Sequence, residues 1–136
     1  MAKEKAGNLD IANRTTLNAK NLAEFATKLG LKTNTKKIEE TDKHIENYDI
    51  IINSTSIGLK NEESPISFEG ANQKTIVYDI VYAPMNTDFI KKAKEKKLEV
   101  IYGYEMLLGQ ATRAFEIWHE MKAPYNAMKK ALLGGF

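Results

Sequence analysis

The stretch Leu9-Asp10-Ile11-Ala12-Asn13-Arg14-Thr15 decides the fold of this chain. Its apolar first half predicts a β-strand, and the polar Asn13-Arg14-Thr15 predicts a turn at the carboxyl end of that strand. Apolar residues then recur at helical spacing, at Leu17, Leu22, Phe25, Ala26 and Leu29. Thr15 or Thr16 is suited to cap this helix, and Gly30 is suited to end it. The sequence therefore begins with a strand, a turn and a helix.

The same alternation continues to the end of the chain. We predict further strands at 31–35, 48–53, 75–80 and 98–101, and helices at 36–47, 86–97, 104–121 and 124–133. The strand at 48–53 is apolar enough to be covered on both faces. Alternation of this kind predicts the α/β class, with a parallel sheet and helices on both of its faces.

Composition excludes several classes of function. A chain of 136 residues with 43% hydrophobic content is predicted to form one domain with a core of ordinary size. Its 20 basic and 18 acidic residues are spread along the sequence, so we expect no nucleic-acid partner and no membrane surface. The chain has no cysteine and no apolar stretch of membrane-spanning length. We therefore expect a cytoplasmic protein without a metal site.

Arg14 is the residue that points to a ligand. In parallel α/β sheets, ligands bind beyond the carboxyl ends of the strands. Arg14 would present its planar guanidinium there, and that group suits a bidentate pair with phosphate, as in dinucleotide-binding domains that select the adenosine 2′-phosphate of NADP. The hydroxyl of Thr15 would add a further bond. A solvated arginine in a turn is the alternative, and the spacing alone leaves both interpretations open.

The residues before Leu9 contain neither a further strand nor a glycine-rich turn. In a Rossmann-like domain, the strand that ends at the 2′-phosphate is the second strand, and the first lies at the centre of the sheet. We therefore expect a domain that lacks its first strand and the glycine-rich turn. Open strand edges pair readily with other chains, so we expect the isolated chain to close its sheet differently or to self-associate.

Four motifs in register resemble the shikimate dehydrogenase family. They are Asn13-Arg14-Thr15; Asn53-Ser54-Thr55-Ser56-Ile57-Gly58; Asp79-Ile80-Val81-Tyr82-Ala83-Pro84 with Thr87; and Gly103-Tyr104-Glu105-Met106-Leu107 with Gln110. The resemblance runs from Leu9 to about Leu133. It implies the cofactor domain of a two-domain enzyme that reduces 3-dehydroshikimate to shikimate with NADP, in aromatic amino acid biosynthesis.

The resemblance implies that the first motif binds the adenosine end of the cofactor. Asn13, Arg14 and Thr15 resemble the 2′-phosphate site of the family. Asn18 stands where many relatives place a second arginine, which implies a weaker preference for NADP over NAD. Thr55 resembles the loop residue beside the ribose and pyrophosphate.

The later motifs resemble the nicotinamide and substrate end. Ile80 would pack beside the nicotinamide, and the backbone of Gly103 would hold its carboxamide. Tyr82 and Gln110 resemble the residues that contact the hydroxyls or carboxylate of shikimate. Tyr102 and Glu105 depart from the commonest family pattern around that glycine.

We assign no catalytic residue to this chain. In the family, a lysine and an aspartate serve the proton transfer, and both lie in a substrate-binding domain that precedes the cofactor domain. We therefore expect residues 1–136 to be a partial NADP-binding domain without that catalytic domain, inactive alone. Two alternatives stay open. One is a non-catalytic nucleotide-binding or partner-binding module derived from the family, and the other is a fragment of a quinate/shikimate dehydrogenase.

Several other conspicuous residues are interpreted as structural. Asp79 is expected to cap the turn after its strand through Asx hydrogen bonds, with no catalytic role. His44 and His119 are expected to be solvated. Apolar residues of the last two helices are predicted to lie in the core, namely Leu107, Phe115, Trp118, Met121 and Met128.

Overall fold

The computed structural model describes residues 6–134. The strands are β1 (Asn8–Ala12), β2 (Lys32–Lys36), β3 (Ile50–Asn53), β4 (Ile76–Asp79) and β5 (Glu99–Ile101). The α-helices are α1 (Thr16–Lys28), α2 (Asp88–Glu95), α3 (Gly103–His119) and α4 (Tyr125–Leu133), and a 3-10 segment spans Ile38–Asn47. Every predicted element is present, with ends displaced by one or two residues. The expectation that no further strand or glycine-rich turn precedes β1 falls partly on residues 1–5, which lie outside the described residues.

The chain divides into two compact units, Met1–Ile45 and Glu46–Phe136. In the first unit β1 pairs with β2 in parallel, and Ala12 lies opposite Lys36. In the second unit β3, β4 and β5 form a parallel sheet in that order. The α/β class with parallel strands is confirmed. The strands nevertheless form two sheets, because no strand within residues 6–134 occupies the predicted place between β1 and β3.

Helix α1 packs on the sheet of the first unit through small residues. Ala19, Ala23 and Ala26 are buried and lie on one face of the helix. The larger apolar side chains of its predicted stripe, Leu17, Leu22, Phe25 and Leu29, are all more than half exposed. A two-stranded sheet offers a narrow surface, and the alanine face alone covers it.

The core of the second unit lies between its sheet and α2. Val77 and Ile90 are fully buried, and the rings of Phe68 and Phe89 meet edge to face with centroids 5.0 Å apart. On β3, Ile51 is buried, but Ile50 and Ile52 are 52% and 37% exposed. The prediction that this strand is covered on both faces is therefore wrong. Successive side chains point to opposite faces, and β3 is an edge strand with one covered face.

The predicted core of the last two helices is only partly confirmed. Leu107, Phe115 and Met128 are half-buried, whereas Trp118 and Met121 are 78% and 59% exposed. The prediction was wrong for these two residues. Helix α3 contacts α4, but α4 is a short helix with no buried residue of its own and leaves these large side chains uncovered.

Candidate functional site

The turn Asn13–Thr15 joins β1 to α1 and holds Arg14 in an exposed position. The Asn13 side chain makes this turn, because its Oδ1 accepts the Thr15 N–H at 2.8 Å. Thr15 occupies the N-cap position of α1, as predicted, but its side chain makes no capping bond to the helix. The first turn of α1 also contains no acidic residue. The Thr15 hydroxyl and the positive end of the helix can therefore both serve an anion.

A cavity of about 510 Å³ lies next to this turn, within the first unit. The β1–α1 side contributes Asn13, Arg14 and Thr16, and the segment after β2 contributes Lys37, Glu39, Glu40 and Lys43. The parallel pairing of β1 with β2 explains this assembly, since it brings both carboxyl ends to one edge. Asn18 is exposed on α1 and does not line the cavity.

Lys37 and Lys43 were missed by the sequence analysis. Lys37 follows β2 directly, and the general rule that ligands bind at the carboxyl ends of parallel strands would have identified it. Lys43 lies in the 3-10 segment. Its place beside the cavity depends on the path of that segment, which no pattern in the sequence specifies.

In the second unit, Asn53 organises the loop that follows β3. Its Nδ2 donates to the Ile57 carbonyl at 3.0 Å, and its Oδ1 accepts the N–H and the hydroxyl of Thr55 at 3.1 and 2.7 Å. The Thr55 hydroxyl also accepts the Ile57 N–H at 3.1 Å. Thr55 is half-buried, and its hydroxyl is used within the loop. Thr55 therefore shapes the loop, and the exposed Ser54 and Ser56 have the more accessible side chains.

Asp79 ends β4 and is completely buried. Its Oδ1 accepts from Asn53 Nδ2 and from the Val81 N–H, both at 3.0 Å. Its Oδ2 accepts the Thr87 hydroxyl at 2.6 Å, and that hydroxyl also caps α2 by accepting the Ile90 N–H at 3.2 Å. The prediction that Asp79 caps the turn after its strand is confirmed. Together Asn53, Asp79 and Thr87 form a buried polar cluster that fixes the residues after β3 and β4.

The structure brings Ile80 and Gly103 together. The Ile80 N–H donates to the Asn53 carbonyl at 3.1 Å, which continues the pairing of β3 with β4. Gly103 begins α3, and a Cβ added there would lie 2.6 Å from the carbonyl oxygens of both Ile80 and Val81. No side chain fits such a gap. Glycine is therefore required at this position by the close approach of two backbone segments.

The two predicted substrate contacts lie on separate elements of the second unit. Tyr82 is 44% exposed and follows β4, and Gln110 is exposed on α3. Both side chains are accessible to a ligand. Their role as substrate contacts stays a prediction.

Two carboxylates near the loop after β3 accept backbone hydrogen bonds. Glu62 Oε2 accepts the N–H groups of Lys60 at 2.8 Å and Gly58 at 2.9 Å, and the first of these bonds is the main cause that lowers the Glu62 pKa. The Ser64 N–H donates to Asp88 at 2.8 Å and lowers the pKa of that carboxyl. These three bonds hold the Glu62 and Asp88 carboxylates against backbone N–H groups of the segment that follows β3.

A third ionisable group lies in the sheet. The pKa of Tyr78 on β4 is raised, mainly by burial and further by the Glu105 carboxylate. Across the described part of the chain, His, Asp and Glu side chains form no group of three that could hold a metal ion. None of the helices described is long and apolar enough to span a bilayer.

Comparison with known proteins places these features in a family context. The profile of the family described as Shikimate / quinate 5-dehydrogenase matches residues 1–96. A second profile, described as Shikimate 5′-dehydrogenase C-terminal domain, matches residues 103–133. The shikimate dehydrogenase (NADP(+)) of Nitrosopumilus maritimus is 67% identical over 135 residues, which are 99% of this chain and 50% of that protein. The chain thus spans about half the length of the curated relatives it matches.

Solved structures agree with the sequence comparisons. Shikimate 5-dehydrogenase from Listeria monocytogenes, in complex with shikimate and NAD, superposes with a TM-score of 0.82 at 28% identity, over 96% of this chain and 49% of that one. The enzyme from Thermus thermophilus, in complex with NADP(H) and shikimate, gives a TM-score of 0.73 at 29% identity, over 93% and 46%. Both neighbours share the arrangement of parallel strands and helices.

Proposed function

This chain belongs to the shikimate / quinate 5-dehydrogenase family, and on that premise we propose that it is the cofactor-binding part of an NADP-dependent shikimate dehydrogenase. The enzyme would interconvert 3-dehydroshikimate and shikimate in the cytoplasm. Relatives that carry this activity by name are about twice as long as this chain. We propose that the 136-residue chain binds cofactor and is inactive alone.

One observation supports the cofactor assignment above the others. Arg14 is exposed at the tip of the Asn13–Thr15 turn, at the start of α1 and beside a cavity lined by two further cations. A phosphate monoester carries close to two negative charges near neutral pH, so it needs a site of this kind. Asp or Glu at the same position would instead favour the free ribose hydroxyl of NAD. The residues present therefore fit the adenosine 2′-phosphate of NADP.

The second unit would hold the opposite end of the cofactor. Bound NADP supplies the hydride acceptor or donor of the reaction. At Gly103 two backbone segments approach closely, because an added Cβ would lie 2.6 Å from the Ile80 and Val81 carbonyl oxygens, and this surface would face the carboxamide. The Asn53, Asp79 and Thr87 cluster would keep that surface fixed. Tyr82 and Gln110 would donate hydrogen bonds that orient the substrate.

Two other functions follow from specific observations. The matching family profile names quinate beside shikimate, so a preference for quinate is the second candidate. A nucleotide-binding or partner-binding module without catalysis is the third, because none of the residues in this chain matches the lysine and aspartate expected to move the proton. We expect the isolated chain to self-associate, and a partner-binding module could act through the same self-association.

A chimera tests the proposal. This chain is joined to the half of the Nitrosopumilus maritimus relative that it does not span, and NADP-linked oxidation of shikimate and of quinate is measured. We expect activity with shikimate, and we expect Arg14→Ala to raise the KM for NADP with little change in kcat. A well-folded chimera that oxidises neither substrate would contradict the proposed function. Preferential oxidation of quinate would favour the second candidate.

A further inference from the structure

We propose that Lys37 is the second cation of the adenosine 2′-phosphate site. This inference rests on the proposed function, because it assumes that Arg14 binds that phosphate. A single guanidinium cannot balance a group that carries close to two negative charges. Asn18 is uncharged and does not line the cavity, so a second cationic side chain would come from another segment.

Strand register places Lys37 next to the turn that holds Arg14. Ala12 and Lys36 lie opposite each other as the last residues of two parallel strands. Asn13 and Lys37 therefore leave the sheet side by side, at the edge where ligands of α/β domains bind. Both residues line the same cavity of about 510 Å³, together with Arg14.

The charge on Lys37 is also available to a ligand. The preceding residue, Lys36, is committed to an ion pair with Asp10 at 2.7 Å. Within residues 6–134, neither Lys37 nor Arg14 forms an ion pair of this kind. Glu40 also lines the cavity, but its carboxylate accepts the backbone N–H of Lys37 at 3.3 Å and so lies against the backbone. An anion bound beside the Asn13–Thr15 turn would therefore find both Arg14 and Lys37 uncommitted at the cavity wall.

Lys43 and Glu39 line the same cavity and bear on the inference in opposite ways. Lys43 could supply the second charge in place of Lys37. Glu39 would oppose a bound anion, so its neutralisation should strengthen binding. Separate substitutions at Lys37, Lys43 and Glu39 distinguish a specific phosphate site from a surface that merely carries mixed charges.

The test measures binding of small probes to the full chain by calorimetry. Adenosine 2′,5′-bisphosphate carries the 2′-phosphate, adenosine 5′-monophosphate lacks it, and inorganic phosphate reports binding of a free anion. We expect Lys37→Gln to weaken binding of the bisphosphate roughly 3- to 10-fold and to leave binding of the monophosphate unchanged. Lys37→Arg should retain binding, and Glu39→Gln should increase it. The matched control is Lys20→Gln, because Lys20 is exposed on α1 and lines a different groove.

Each outcome decides between the inference and the proposed function. Weaker bisphosphate binding in both Arg14→Ala and Lys37→Gln supports both. A loss in Arg14→Ala with no change in Lys37→Gln overturns the inference and keeps the proposed function, and a loss in Lys43→Gln alone has the same meaning. No selective binding of the bisphosphate by the unmodified chain, or no effect of Arg14→Ala, overturns the cofactor site itself. Equal competition by inorganic phosphate shows a general anion site and also overturns the inference.

Discussion

Replacement of Thr87 by valine tests the buried polar cluster that fixes the candidate site. Thr87 is 1% exposed, and valine fills nearly the same space with a methyl group in place of the hydroxyl. That hydroxyl donates to Asp79 at 2.6 Å and accepts the Ile90 N–H at 3.2 Å. The substitution therefore leaves Asp79 Oδ2 without its donor and leaves α2 without its N-cap.

The expected loss of stability follows from these two bonds. Loss of an N-cap side chain costs about 1 kcal/mol. Loss of a hydrogen bond to a buried carboxylate costs about 1.5–3 kcal/mol. Because one hydroxyl makes both bonds, Thr87→Val removes them together, and we expect it to destabilise the second unit by roughly 3 kcal/mol. Thr87→Ser keeps both bonds and loses one methyl group, so it should cost only about 1 kcal/mol.

Amide hydrogen exchange is the appropriate assay, because two compact units need not unfold in a single transition. The amides of Val81 and Ile90 report on the cluster directly. Thr112→Val is the matched control, since the buried Thr112 hydroxyl has no hydrogen-bond partner among the residues described. That variant should be neutral or slightly stabilising. Equal opening free energies in Thr87→Val and Thr112→Val would refute the reasoning.

Three further predictions follow from the same structure. Gly103→Ala should destabilise the second unit by about 1–3 kcal/mol in chemical denaturation, because the added Cβ would meet two backbone carbonyl oxygens at 2.6 Å. The control is Gly109→Ala in the same helix, where the added Cβ meets nothing within 4 Å, and this variant should stabilise the second unit by about 0.5–1 kcal/mol. The Glu62 pKa is lowered from 4.5, so its hydrogen bonds with the Gly58 and Lys60 N–H groups should be fully formed above pH 4.5 and should be lost as pH falls through the lowered pKa. In NMR titrations of these two amides, Glu62→Gln should abolish the pH dependence. Because Ile50 of the edge strand β3 is 52% exposed, we expect the isolated chain to self-associate as its concentration rises, and Ile50→Lys to reduce this in size-exclusion chromatography; a wild-type monomer at every concentration would contradict it.

Local patterns in the sequence predicted the elements well, because period and caps act over a few residues. The alternation of strand and helix identified every element of the fold. The turn chemistry of Asp79 was also predictable, because its bond to the Val81 N–H spans only two residues. Each of these features is determined by neighbours along the chain.

Features that depend on distant segments were not predictable. An apolar residue such as Trp118 indicates a helix face that favours burial, but the sequence does not say which element covers that face. Thr87 could be recognised as a helix start, while its bond to Asp79 depends on packing of α2 against β4. The place of Lys43 beside the cavity likewise depends on the path of the 3-10 segment, which no local pattern specifies.

The two units build their candidate sites from the same local device. At the ends of β1, β3 and β4, an Asn or Asp accepts the N–H of the second residue after it, at 2.8, 3.1 and 3.0 Å. This bond turns the chain away from the sheet at its carboxyl edge. The bonds differ in their surroundings, since Asn53 and Asp79 are buried and bonded to each other, whereas the Asn13 bond is exposed. In the proposed function, the buried turns after β3 and β4 would belong to the part of the protein that positions a reacting ring, which demands a rigid surrounding. The exposed turn at Arg14 would need only to place a charge beside a phosphate, so a less rigid turn would suffice there.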